Sequence, residues 1–204
     1  ELERAEEVRA GDAELRVRLV GLFLLVDRTP PRVVAGHRGD ERDDGRKDGV
    51  ARAREKHPGE TWFDRNLGRA FLENRAKAVA ILQEESSLQE IVKLVGQDAL
   101  GASDRLTMET AKMIREDFLQ QNAFHPEDTY VPLEKQLKMM EVILHLYHKC
   151  QQIVALQVPM SKLISTGLFD RLVKIKYDVP NDKPEMLDGY IAEIDSALSA
   201  YLRK

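Results

Sequence analysis

The stretch LQEIVKLVGQDALGASDRLTMETAKMIREDFLQQNAF, residues 88–124, decides how the chain is read. Leu88 to Val95 reads as a short helix that stops at Gly96, the residue type best able to take a left-handed C-cap. Gln97–Arg105 (QDALGASDR) follows as a polar turn with an acidic, short-side-chain tip. From Leu106 to about Gln120 the spacing is helical again, with Leu106, Ile114 and Phe118 set inward. Phe124 then closes LQQNAF at a helix end, two residues before Pro126.

The same punctuation continues outward. Upstream, Leu67, Phe71, Ala78 and Leu82 recur on one face of a long helix. Downstream, Pro132 stands where a proline is tolerated, in the first turn of a helix. That helix runs through Leu133, Leu137, Met140, Leu144 and Tyr147 to about Leu156, and Val158-Pro159 breaks it. A short helix to Ser165 and another over Leu168–Tyr177 precede DVPNDKP, a turn cluster with two prolines. The last helix, Glu185–Leu202, has Leu187, Ile191, Ile194, Leu198 and Leu202 at core spacing. Nothing after residue 61 alternates with period two, so residues 62–204 are expected to form an all-α helical bundle.

Residues 1–60 are of another character. Before Trp62 there are 11 Arg against 2 Lys and one aromatic, Phe23; from Thr61 onward there are 7 Arg against 11 Lys. Residues 1–26 carry a partial apolar stripe (Leu2, Ala5, Val8, Leu15, Leu19, Leu22) broken at Gly11. Residues 36–60 have almost nothing to bury and read as a solvated, partly disordered linker. Asp40, Asp43 and Asp44 superficially suggest a calcium loop, but Arg42 occupies a position that needs an oxygen ligand. The segment 1–60 is left unassigned. The chain opens on Glu1, which leads us to expect a piece of a longer polypeptide.

Bulk properties exclude several classes. A net charge of −4 is the wrong sign for a nucleic-acid binder. One cysteine, Cys150, permits no internal disulfide and fits a reducing compartment. The longest apolar run, Leu19–Val26, is too short to span a bilayer, so no direct membrane insertion is expected. His145, His148 and Cys150 form H-x-x-H-x-C on one helix, but the cysteine lies around the helix from the histidines. Surface histidines and a half-buried cysteine are expected there, not a metal site. Glu84, Glu85 and Glu90 read as a solvated face and not an acid–base pair. Met139 and Met140 read as packing. No catalytic residue and no metal ligand set is expected.

The blocks Trp62, Leu88–Leu100, Arg115–Phe124 (RED-F-LQQ-x-AF) and Glu134-Lys135-Gln136 together resemble the C-terminal domain of catalytic A subunits of V/A-type rotary ATPases. The stretch is also similar, more weakly, to the F-type β subunit, with Val131-Pro132-Leu133 echoing a VPL there. The resemblance implies a part of an ATPase or ATP synthase that couples nucleotide turnover to ion transport. It implies B subunits and central-stalk subunits as partners, and a cytoplasmic place, peripheral to the membrane through the complex. It implies that the Gln97–Arg105 turn is the lever that pushes on the rotor, with Asp98, Gly101, Asp104 and Arg105 at the contact; the alternative is an ordinary polar interhelical loop. It further implies that Phe124 lines an adenine pocket, helped by Gln120 and Gln121; the alternatives are a core aromatic and solvated glutamines. ATP or ADP with magnesium would belong to the complete subunit. No G-x-x-x-x-G-K-[ST] phosphate loop is present, so this chain alone is expected to bind no cofactor and to be inactive. The rival readings are a stand-alone helical interaction module and a degenerate gene product.

Overall fold

The chain divides into two units, Glu1–Trp62 and Phe63–Lys204. The computed structural model describes residues 68–202, all in the second unit. The readings of residues 1–60, of the acidic run at Asp40–Asp44 and of Trp62 and Leu67 lie outside the described residues.

Every regular element among the described residues is helical. Helix α1 spans Arg69–Val95 and buries Phe71, Ala78, Ile81, Glu85 and Leu88. Those residues fall three, four or seven apart, which is one stripe on a 3.6-residue repeat. Two helices were expected here and one is found. Ser86 and Ser87 continue the helix, and the core contact on this turn is Ile81, leaving Leu82 half-buried. The helix does stop at Gly96, with φ 86° and ψ 163°. That is the extended half of positive-φ space and not the expected left-handed cap, and it also favours glycine.

A 3₁₀ turn, Gln97–Ala99, leads to α2, Ala102–Lys112. The chain then continues without a break into a π-helical segment, Met113–Leu119. Gln120 N donates to Arg115 O (3.1 Å), the wide i→i−5 bond that marks such a segment. Leu106 and Ile114 are fully buried as expected, joined by Thr107, Thr110 and Ala111, while Phe118 is half-buried. A short α3, Pro126–Thr129, precedes α4, Leu133–Ala155. Then follow α5 (Met160–Ile164), α6 (Leu168–Val173), α7 (Ile175–Asp178), a 3₁₀ turn Pro184–Met186, and α8 (Leu187–Leu202). The single helix expected over Leu168–Tyr177 is divided at Lys174.

Helix α4 is the axis of the bundle. It packs against α1, α2, the π-helical segment and α8. Contact on several sides explains why Met139, Met140, Val142, Ile143, Leu144, Leu146, Cys150 and Ile153 are all buried. Leu133, Leu137 and Tyr147, expected on a single inward stripe, are only half-buried because the helix has no single inward side. Ile194, Leu198 and Leu187 of α8 are fully buried, with Ile191 and Leu202 at the margin.

Candidate functional site

The two places singled out from the sequence both lie at the surface of the domain. The first is the tip between α1 and α2. Asp98 is fully exposed there, while Leu100 is buried and anchors the turn to the bundle. Arg105 turns back: its Nη2 donates to the carbonyls of Asp98 (3.2 Å) and Gln97 (3.5 Å), and lies 3.9 Å from Asp98 Oδ1. Arg105 therefore clasps the tip. Gly101 is the N-cap of α2 with an ordinary φ of −64°, and Asp104 is an acid in the first turn of α2, the favourable sign for the helix dipole. The turn expected over Gln97–Arg105 therefore ends at Gly101, because α2 begins at Ala102 and already contains Asp104 and Arg105; Asp98 is the fully exposed side chain at the tip. Beside the tip, Ile91, Leu94 and Val95 leave an exposed apolar strip on the last turns of α1.

The second place is the loop Gln120–Tyr130. Phe124 is 97 % exposed at its crest, which excludes the core aromatic alternative within this domain. Its own backbone is fixed by an Asx turn, Phe124 N donating to Asn122 Oδ1 (3.0 Å). Thr129 Oγ1 donates to Ala123 O (2.9 Å) and His125 O (2.8 Å), drawing the two arms of the loop together. Gln120 and Gln121 are both exposed. Gln120 takes part through its backbone: its carbonyl accepts from Lys176 Nζ at 2.7 Å.

Beneath this loop lies a set of buried charges that the sequence pattern does not single out. Lys176 and Asp128 pair at 3.2 Å, both buried, and Asp128 Oδ2 also accepts from Asn122 N at 2.6 Å. Lys135 is completely buried; its Nζ donates to Lys176 O (2.9 Å), Val179 O (2.5 Å) and Asn181 Oδ1 (3.0 Å). Asn181 in turn donates from N to Glu127 Oε2 (2.7 Å) and from Nδ2 to Tyr130 O (2.6 Å). Asp117, half-buried on the π-helical segment, has its pKa raised by burial, partly offset by the Lys176 charge.

Between tip and loop, Arg115 reaches from the π-helical segment to Glu85 on α1. Glu85 is buried and also accepts from Gln89 Nε2 (3.2 Å), so the expected solvated face does not include it. Its neighbour Glu84 is exposed, as is Glu90. On α4, Cys150 is fully buried rather than half-buried, and burial pushes its thiol up to about 12. His145 Nε2 lies 2.9 Å from Asp195 Oδ1, whereas His148 faces solvent beside Gln152. Among the described residues no group of three or more His, Cys, Asp or Glu is placed to hold a metal ion. No described helix is long and apolar enough to cross a membrane.

Residues 60–163 match the family model for the C-terminal domain of V and A type ATP synthase. The chain belongs to this family. Among similar proteins, the V-type ATP synthase alpha chain 2 of Clostridium tetani (strain Massachusetts / E88) is 44 % identical over 140 residues, 69 % of this chain and 23 % of the relative. The V-type ATP synthase alpha chain of Clostridium botulinum (strain Okra / Type B1) is 40 % identical over 143 residues, 70 % of this chain and 24 % of the relative. The V-type ATP synthase alpha chain of Clostridium perfringens (strain SM101 / Type A) is 41 % identical over 138 residues, 68 % of this chain and 23 % of the relative. The matched region thus spans less than a quarter of the length of these relatives. Both the tip and the Phe124 loop fall inside the region matched by the ATP synthase C-terminal domain family.

Proposed function

We propose that residues 62–204 are the C-terminal domain of a catalytic A subunit in a rotary ATPase or ATP synthase, preceded by a segment, 1–60, of separate character. The observation that carries the reading is the display of Phe124. An aromatic ring left in water on a rigidly tied loop is suited to stacking on a base supplied from outside the domain. The base is the adenine of ATP or ADP. The phosphates and magnesium are held by parts of the enzyme outside this chain, so alone it neither binds ATP tightly nor turns it over. Gln120 and Gln121 border the pocket.

The tip, with Asp98 outermost and Gly101, Asp104 and Arg105 shaping it, is the surface that bears on the central stalk. The nucleotide end and the rotor end are then two sites biasing one element, which is the requirement for coupling. B subunits flank the domain in the assembled complex, on the cytoplasmic side of the membrane.

The test uses an assembled complex carrying this domain, with Gln97–Ala99 replaced by Gly-Ser so that buried Leu100 is retained. ATP binding is expected to survive while ATP-driven ion pumping falls. Unchanged pumping would make the tip a connector only. The adenine reading is tested separately by Phe124→Ala, which weakens ATP but not a base-free polyphosphate.

A further inference from the structure

We propose that Lys176 is a positioning residue for nucleotide binding, holding Phe124 in its outward presentation through a buried grip on both ends of the loop. This rests on the reading of Phe124 as the ring that meets the base.

A phenylalanine that is 97 % exposed sits where the hydrophobic effect does not put it. Some structure must prevent the ring from folding back, and the loop's internal bonds only shape it. Asn181 ties the exit side of the loop through Glu127 and Tyr130, and His125 lies against Tyr177 (ring centroids 4.5 Å apart), but the bonds that reach the Gln120–Phe124 arm start from the Lys176 ammonium. Lys176 Nζ donates to Gln120 O at the loop's entry (2.7 Å) and pairs with Asp128 near its exit (3.2 Å). Asp128 in turn takes the N–H of Asn122, whose side chain caps Phe124 N. The path from ammonium to ring is therefore three hydrogen-bonded steps, all polar and all shielded at the Lys176–Asp128 end. Lys176 is held from the other side, because its carbonyl accepts from fully buried Lys135.

Burying an ion pair is poor value for stability alone, since desolvation cancels much of the attraction. What such a pair provides is direction. An ammonium that must satisfy two oxygens at set positions narrows the arrangements open to the loop. A methionine of similar length fills the space and donates nothing, which frees Gln120 O and leaves the Asp128 charge without its cation.

The experiment is done on the full-length protein in its assembled complex, comparing dissociation constants for ATP and for inorganic tripolyphosphate, which has the phosphates without the base. Phe124→Ala is expected to weaken ATP by about five- to hundredfold, the range of one lost base stack, and to leave tripolyphosphate unchanged. Lys176→Met is expected to reproduce the same selective loss in part, Lys176→Arg to recover it, and Lys176→Met to add nothing in a Phe124→Ala background. A selective loss from Phe124→Ala with none from Lys176→Met overturns the role of Lys176 and leaves the base reading standing. Equal weakening of both ligands by Lys176→Met shows general damage and also overturns it. No selective loss from Phe124→Ala overturns both. Should the Lys176→Met variant fail to assemble, Asp128→Asn, which keeps an acceptor for Asn122 N and removes the charge, is judged by the same outcomes.

Discussion

Arg115 donates a hydrogen bond from Nη1 to the buried carboxylate of Glu85, tying the π-helical segment to α1. The hydrogen bond to Glu85 is the main reason the Arg115 pKa is raised. Removing the cation leaves a buried carboxylate, so Arg115→Met is expected to destabilise the fold by about 2 kcal/mol. That is less than the roughly 3–5 kcal/mol typical of a fully buried pair, because Arg115 is itself half exposed. Glu85→Gln, which strands no charge, costs less. Urea denaturation at neutral pH measures both, and equal losses would mean that the charge on Glu85 is immaterial.

The two glycines flanking the tip are expected to respond oppositely to alanine. Gly101 has φ −64°, and an added Cβ would meet only Asp104 Oδ2 at 3.6 Å. Gly101→Ala therefore raises stability by about 0.4–1 kcal/mol through the unfolded chain. Gly96 has φ 86°, so Gly96→Ala costs about 1–3 kcal/mol although no atom stands within 4 Å of the new Cβ. Thermal midpoints of the two variants, moving in opposite directions, are the check.

Cys150 is expected to be inert in the folded protein. Its side chain is fully buried and its thiol is pushed up to about 12, so almost no thiolate is present near pH 8. Thiol-reactive reagents label it only in denaturant, and rapid labelling of native protein would contradict the packing around α4.

Asp195 gives a modest pH dependence. Lys149 first, then His145, hold its carboxyl below the usual value of 3.8. A depressed folded-state pKa stabilises above the unfolded value and loses that contribution as pH falls through the folded one. Asp195→Asn should therefore be less stable than the parent at pH 6 and indistinguishable from it well below pH 3. The difference at pH 6 stays under about 1 kcal/mol because the pair is partly exposed. A gap that widened on acidification would reverse the assignment.

Helix class, the stop at Gly96, the helix end near Leu156 and the start of the tip were legible in the sequence, because a repeat of 3.6 residues and a chain-breaking residue are properties of a few neighbours. The family blocks likewise marked the Phe124 loop as a place of interest. The division of α1 into two helices was misread because Glu84-Glu85-Ser86-Ser87 has a polar composition that suits an exposed helix turn as well as a loop. The expected stripe on α4 failed for a different reason: a helix with neighbours on several sides has no single face to read.

Local chemistry therefore determined that this chain makes helices, where most of them stop, and that a short acidic turn and an LQQNAF terminus lie between them. Tertiary structure alone decided which charges go inside. Glu85 meets Arg115 across 30 residues, Lys176 meets Gln120 across 56, and Lys135 reaches Asn181 across 46. A charged side chain is buried only where the fold brings it a partner, and partners that far apart leave no periodicity to read. The same distance separates a phenylalanine that closes a core from one presented to solvent: the atoms that hold the Phe124 loop open come from a helix some fifty residues later in the chain.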